Sequence, residues 1–164
     1  MPAPSPTLRD LLGAHATDAA AFCRAHPHAF LVPAAAARRG RRALALGTGA
    51  LAHPIHAVES AGGPWAAVTV GRSEECDVVL DDPRVSRHHA TFERREGTGE
   101  YALLDAGSRN GVRIGAARLS AWSLVPVASE ARISFGGLEL IFLSAADLFA
   151  LAAPLGPAPL ARAR

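Results

Sequence analysis

Lysine is absent from this 164-residue chain: all 17 basic residues are arginine, set against 15 acidic ones. The resulting formal charge of +2 is too small for a nucleic-acid footprint spread over the whole surface. An all-arginine set beside abundant Ala, Gly and Pro reads as codon bias in a GC-rich genome more readily than as selection for arginine chemistry. Aromatics are scarce at 5%, and much of the 49% hydrophobic content is alanine. Alanine buries little surface, so the core must rest on Val, Leu, Ile and six Phe. Cys23 and Cys76 stand alone, without a CxxC pair, which excludes a disulfide framework and fits a reducing cytoplasm. A basic n-region followed by an apolar stretch is missing, as is any uncharged apolar run of about 18 residues, so neither a signal peptide nor a membrane span is expected. Internal repeats and a βαβ nucleotide-binding pattern are also lacking. These absences leave a soluble, cytoplasmic protein of one domain with extensions.

Three zones separate by pattern. Residues 1–27 read as a helical extension: Leu8, Leu11, Leu12, Ala16, Ala19 and Phe22 recur at helical spacing. Thr7 can cap this segment with Asp10 three residues on, and His26-Pro27 would end it, giving one amphipathic helix. Residues 28–145 form the expected domain. Phe30 to Val32, Leu44 to Leu46 and Ile55 to Val58 are short candidate strands around the basic run Arg38-Arg39-Gly40-Arg41-Arg42. From residue 65 to 143 the signals are all β. Val68 to Val70, Val78 to Leu80, Ala90 to Glu93, Tyr101 to Leu104, Val112 to Ile114, Arg132 to Phe135 and Leu138 to Leu143 are short runs punctuated by turn residues. Gly62-Gly63-Pro64, Gly97-Thr98-Gly99 and Gly136-Gly137 mark tight turns. Many short strands joined by turns predict an antiparallel sandwich. Residues 146–164 read as a short helix, its pattern spanning Ala145 to Ala152, and a disordered tail containing Pro154, Pro157 and Pro159.

The chemistry concentrates between Gly71 and Gly111. In order come Gly71-Arg72-Ser73, Asp77-Val78-Val79-Leu80, Val85-Ser86-Arg87-His88-His89-Ala90, Leu103-Leu104-Asp105 and Ser108-Arg109-Asn110-Gly111. Arginines, hydroxyls and an amide at the loop end of a sandwich suit an oxyanion. Guanidinium offers a planar fork, serine donates one further hydrogen bond, and an asparagine amide can both donate to and accept from a peptide backbone.

These motifs, in this order and spacing, resemble the forkhead-associated (FHA) domain, as in a bacterial FHA domain-containing protein. The resemblance implies an all-β sandwich of the FHA type that binds phosphothreonine peptides and is not an enzyme. By that likeness Arg72 is the main phosphate ligand, Ser86 the second, and Asn110 the residue that holds the peptide main chain. Arg87 and Arg109 line the same groove. Gly71, His89, Ser108 and Gly111 support the site, His89 by bracing a loop from behind. Arg84 stands where some relatives select the third residue after the phosphothreonine, so a preference for an acidic residue there is expected. The implied partner is a threonine-phosphorylated protein, a substrate of a serine/threonine kinase or the kinase itself.

Plainer readings stand beside these. Arg72 could pair with Asp81 or Asp82, Ser86 could make a turn hydrogen bond, and Asn110-Gly111 is a common hairpin signal. Ser86, His89 and Asp77 include the residue types of a hydrolytic triad, but no GxSxG elbow surrounds the serine. His26 with His28, His53 with His56, and Cys76 with His88 lack the spacing of a metal site, so neither metal nor cofactor is expected. The Arg38 to Arg42 run could contact nucleic acid, but no aromatic residue interleaves it, and a solvated loop is the expectation. A scaffold of the same fold without phosphate dependence would have lost Arg72, Ser86 or Asn110, and all three are present.

Overall fold

The computed structural model describes residues 5–13, 18–40, 43–63 and 66–155. Thirteen strands are β1 (Ala29–Pro33), β2 (Ala37–Arg39), β3 (Leu44–Leu46), β4 (His56–Val58), β5 (Val68–Gly71), β6 (Val78–Val79), β7 (Ala90–Arg94), β8 (Tyr101–Asp105), β9 (Val112–Ile114), β10 (Ala117–Arg118), β11 (Leu124–Val127), β12 (Ala131–Phe135) and β13 (Leu138–Leu143). They are joined by the helices α1 (Leu8–Gly13), α2 (Ala19–Ala25) and α3 (Ala145–Ala152).

Two sheets make the sandwich. One has the order β10-β9-β12-β13-β1-β4 and the other β11-β8-β7-β5-β6, while β2 and β3 form a separate hairpin. Among the described residues the strands pair antiparallel except for the parallel contact of β5 with β6, and an isolated parallel bridge joins Asp105 to Ala121. The expected antiparallel β-sandwich is therefore the architecture found. Side-chain alternation explains why β1 and β13 sit in the middle of their sheet. On β1, Leu31 enters the sandwich core with Leu103, Phe92 and Ile133. Its neighbours Phe30 and Val32 point the other way, into a second apolar cluster with Leu8, Phe22 and Leu148. A strand buried on both faces must be apolar at consecutive positions, and Ala29-Phe30-Leu31-Val32 is.

The helices and the β2–β3 hairpin cover that second cluster. The expected single N-terminal helix is instead divided at Asp18, which is extended and starts α2 by accepting from the backbone N–H groups of Ala20 and Ala21 at 2.9 and 3.2 Å. A side chain that satisfies two otherwise orphaned donors begins a new helix, whatever the apolar spacing on either side. The Thr7–Asp10 box does form. Thr7 N–H donates to Asp10 Oδ2 at 2.9 Å, and Asp10 N–H donates to Thr7 Oγ1 at 3.3 Å. Phe22 lies against Phe149 of α3 at 5.4 Å between ring centroids. Ser144 caps α3 by accepting from Asp147 N–H at 3.1 Å. Arg38 and Arg39 belong to strand β2 rather than to a loop, pairing with Ala45 and Leu44. Arg41, Arg42, Ala16, Pro64 and the tail prolines Pro157 and Pro159 lie outside the described residues. Among the described residues no helix is long and apolar enough to cross a membrane.

Loops from both sheets meet at one end of the sandwich. Backbone hydrogen bonds join them: Arg72 N–H to Ser86 C=O, Ala106 N–H to His89 C=O, Gly136 N–H to Gly111 C=O and Trp122 N–H to Asp105 C=O, all between 2.9 and 3.1 Å.

Candidate functional site

The turn after β5 begins the site. Gly71 is required there by close approach: a Cβ at that position would overlap the Arg87 carbonyl and lie 3.0 Å from Cys76 Sγ. With no side chain in the way, Arg72 and Ser73 donate their N–H groups to the carbonyls of Ser86 and Arg87 at 2.9 and 3.1 Å. The β6–β7 loop is thereby stitched along the end of β5. Cys76 Sγ donates to the same Arg87 carbonyl at 3.2 Å, which ties this thiol into the loop's support.

His89 braces that loop from behind. It is fully buried, and its Nδ1 accepts from Ser86 N–H at 2.9 Å. The ring proton must therefore sit on Nε2, which donates to Gly111 C=O at 3.1 Å. One imidazole thus fixes the spacing between the Ser86 loop and the Asn110-Gly111 turn. Burial pushes its pKa below the ordinary 6.5, against the opposing pull of the Gly111 carbonyl and the Asp105 carboxylate. The neutral form is the one this geometry needs.

The Asp105–Gly111 loop is built by local bonds. Asp105, itself buried, accepts from Ser108 N–H at 2.8 Å, and Ser108 Oγ accepts from Gly111 N–H at 2.9 Å. Gly111 holds a left-handed φ of +83°, and a Cβ there would meet the Arg118 guanidinium at 2.5 Å.

The polar groups left over define what the site can do. Ser86 Oγ accepts from Arg109 N–H at 3.0 Å, so its hydroxyl proton remains available to donate. Arg72 is anchored by Nε donating to Val85 C=O at 3.2 Å, which leaves both Nη groups free of partners among the described residues. Neither Asp81 nor Asp82 pairs with it. The guanidinium groups of Arg87 and Arg109 make no hydrogen bond or ion pair among the described residues, and both side chains are exposed. Asn110 donates through Nδ2 to Arg84 C=O at 2.8 Å, which aims the amide and leaves Oδ1 able to accept.

Arg84 departs from expectation. Its Nε and Nη2 donate to both carboxylate oxygens of Asp82 at 2.9 and 2.7 Å, and its Nη1 to Gly137 C=O at 3.2 Å. The Arg84 hydrogen bonds hold the Asp82 carboxyl at a pKa of about 2. An acidic ligand residue at this position would therefore share the Arg84 guanidinium with Asp82. The triad arrangement is not formed either. His89 faces the Ser86 backbone rather than its hydroxyl, and Asp77 is held by Thr69 N–H at 2.9 Å and Thr69 Oγ1 at 2.8 Å. Arg118 and Trp122 also border the site, against Gly111 and Gly107 respectively. Sequence reasoning passed over both, and only the cross-strand position of β10 beside β9 brings Arg118 in.

What results is a cationic loop cluster in which the Ser86 hydroxyl can still donate and the Asn110 amide is aimed. A family model described as the FHA domain matches residues 68–136, the span that contains every one of these groups. The chain carries an FHA domain. The oxoglutarate dehydrogenase inhibitor of Corynebacterium glutamicum is 38% identical over 76 residues, covering 46% of this chain and 50% of that one. The glycogen accumulation regulator GarA of Mycolicibacterium smegmatis is 37% identical over 76 residues, covering 46% and 45%. This chain thus spans no more than about half the length of the curated relatives it matches. A Mycobacterium tuberculosis EmbR structure in complex with a low-affinity phosphopeptide superposes with a TM-score of 0.51 at 26% identity, over 71% of this chain and 24% of that one. The N-terminal FHA domain of S. cerevisiae Rad53p, solved with a phosphothreonine peptide, shares the fold at a TM-score of 0.52 and 18% identity, over 71% of this chain and 93% of that one.

Proposed function

We propose that this protein is a phosphothreonine-binding signalling module. Its FHA loops would hold a threonine-phosphorylated partner reversibly, without catalysing a reaction on it. The observation that carries the reading is the pairing state of the site. Arg72 keeps its terminal nitrogens and Ser86 keeps its hydroxyl proton, while each is fixed in place by a bond made through another atom. Such preorganised donors lose little freedom when a dianion arrives. In this reading Arg72 and Ser86 bind the phosphate, Arg87 and Arg109 add charge at the rim, and Asn110 holds the ligand backbone. Gly71, His89, Ser108 and Gly111 keep those groups in register. The partner is a phosphorylated protein, a substrate of a serine/threonine kinase or the kinase itself. EmbR, bound to a phosphopeptide in its own structure, supports this ligand class, and relatives named as an inhibitor and a regulator fit a non-catalytic role.

The test replaces the ligand groups singly. Each charge-assisted hydrogen bond is worth about 1.5–3 kcal/mol. Arg72→Ala is therefore expected to weaken capture of a phosphothreonine peptide by at least about tenfold, while the chain stays folded with a melting temperature lowered only by loss of the bond to Val85 C=O. Undiminished binding by Arg72→Ala would remove the reading.

A further inference from the structure

One side of the loop cluster is greasy rather than charged. Trp122 is 69% exposed and Leu124 48%, the two large hydrophobic side chains most open to solvent among the described residues. Trp122 also holds a left-handed φ of +66°. For a bulky residue that is an outlying conformation, which glycine would adopt without strain. An exposed indole at a strained position needs a reason beyond the fold.

The position is tied directly to the proposed phosphate site. Trp122 N–H donates to Asp105 C=O at 2.9 Å, and its indole lies against Gly107, whose Cβ would come within 3.1 Å of the ring. Asp105 and Gly107 belong to the loop that carries Ser108, Arg109 and Asn110. Arg84 marks the other flank, bonded to Asn110 and Gly137. Two residues beyond Trp122, β11 begins with the exposed Leu124. Leu124 stands opposite Leu104 and Pro126 opposite Ala102, while the alternate residue Val125 stands opposite Leu103 of the core. The strand runs about 3.3 Å per residue, away from the loops and into a groove of about 860 Å³ that Leu124, Pro126, Ala102 and Tyr101 help to line. β11 is an edge strand, but Pro126 lacks an N–H and interrupts it as a template for strand addition.

We propose that Trp122 and Leu124 extend the phosphothreonine site into an apolar docking stripe. It receives hydrophobic side chains from the same extended partner segment, on the side of the phosphothreonine away from Arg84. The inference rests on the phosphothreonine reading and deepens it. Phosphate supplies the switch, and the stripe supplies the choice among phosphorylated partners, since aromatic anchors beside a charged contact dominate such interfaces.

The test uses the full chain and a degenerate peptide library with a fixed phosphothreonine and several random positions on each side. The wild type is expected to enrich aromatic or aliphatic residues on one flank. Trp122→Gly, which relaxes the backbone, should lose that enrichment and about tenfold in affinity for the selected peptides. It should keep phosphate-dependent capture of unselected ones and a melting temperature at or above that of the wild type. Trp122→Phe should restore the enrichment. An unchanged profile in Trp122→Gly, or no flank preference in a wild type that still captures phosphothreonine, overturns the stripe alone. A lowered melting temperature with general loss of capture would make Trp122 a structural residue and overturn it too. Failure of the wild type to capture any phosphothreonine peptide would instead overturn the underlying reading.

Discussion

Replacing His89 by alanine should damage both stability and binding, although His89 would touch no ligand. The ring is fully buried, accepts from Ser86 N–H and donates to Gly111 C=O. Gly111 C=O keeps a second donor in Gly136 N–H, whereas Ser86 N–H loses its acceptor. Leaving one buried donor unsatisfied and opening a cavity beside Phe135 costs about 2–4 kcal/mol. At about 2–4 °C per kcal/mol for a chain of this size, thermal unfolding should shift down by roughly 4–16 °C. Phosphothreonine-peptide affinity, measured well below that transition, should fall as well, because the Ser86 loop loses its fixed distance from Asn110. A melting curve and an affinity both equal to wild type would refute the bracing role. The same histidine sets a pH dependence. Its folded pKa lies below 6.5, so the unfolded chain takes up a proton first as pH falls. Stability is therefore full above pH 6.5 and declines as pH drops from there towards the depressed folded value. Half-buried His28 and His56 shift the same way, each chiefly through desolvation, so all three add to one acid-side loss of stability. Urea unfolding at several pH values should show that slope, reduced in His89→Ala.

Other perturbations separate the parts of the fold. Gly71→Ala drives a methyl group into the Arg87 carbonyl; it should destabilise by about 1–3 kcal/mol and displace the Arg72 turn, read as a lower melting temperature and shifted backbone resonances from Gly71 to Arg87. Phe22→Ala removes the ring that joins α2 to α3 and should cost about 3–5 kcal/mol in a single cooperative transition, with an unaltered transition showing that the helices are not part of the core. Asp82 should titrate with a midpoint of about 2 in a carboxyl NMR titration, rising towards the ordinary carboxylate value in Arg84→Ala.

The fold and the site were legible to different depths. The sandwich strands from β5 to β9 read directly from the sequence, because alternating apolar residues and turn glycines act locally. Thr7 with Asp10 also spoke for itself. The division of the N-terminal helix did not, because Asp18 overrides an apolar spacing that continues past it. Strands β2, β10 and β11 went unread: each is short, and each exists through a partner distant in sequence or through a hairpin too brief to show a period. In the site, the residues from Gly71 to Gly111 were nameable because their spacing is distinctive. The pairing of Arg84 with Asp82 was not, since a residue two positions away competes with any ligand only once the loop is folded. Arg118 and Trp122 lie outside that span, and tertiary structure alone brings them to its border.

The central claim is tested most directly by calorimetric titration of the full chain with three peptides of one sequence, bearing phosphothreonine, phosphoserine or unmodified threonine. Binding should be measurable for phosphothreonine, weaker for phosphoserine, absent for threonine, and should weaken as salt rises because charge carries it. Equal binding of all three peptides would contradict the account.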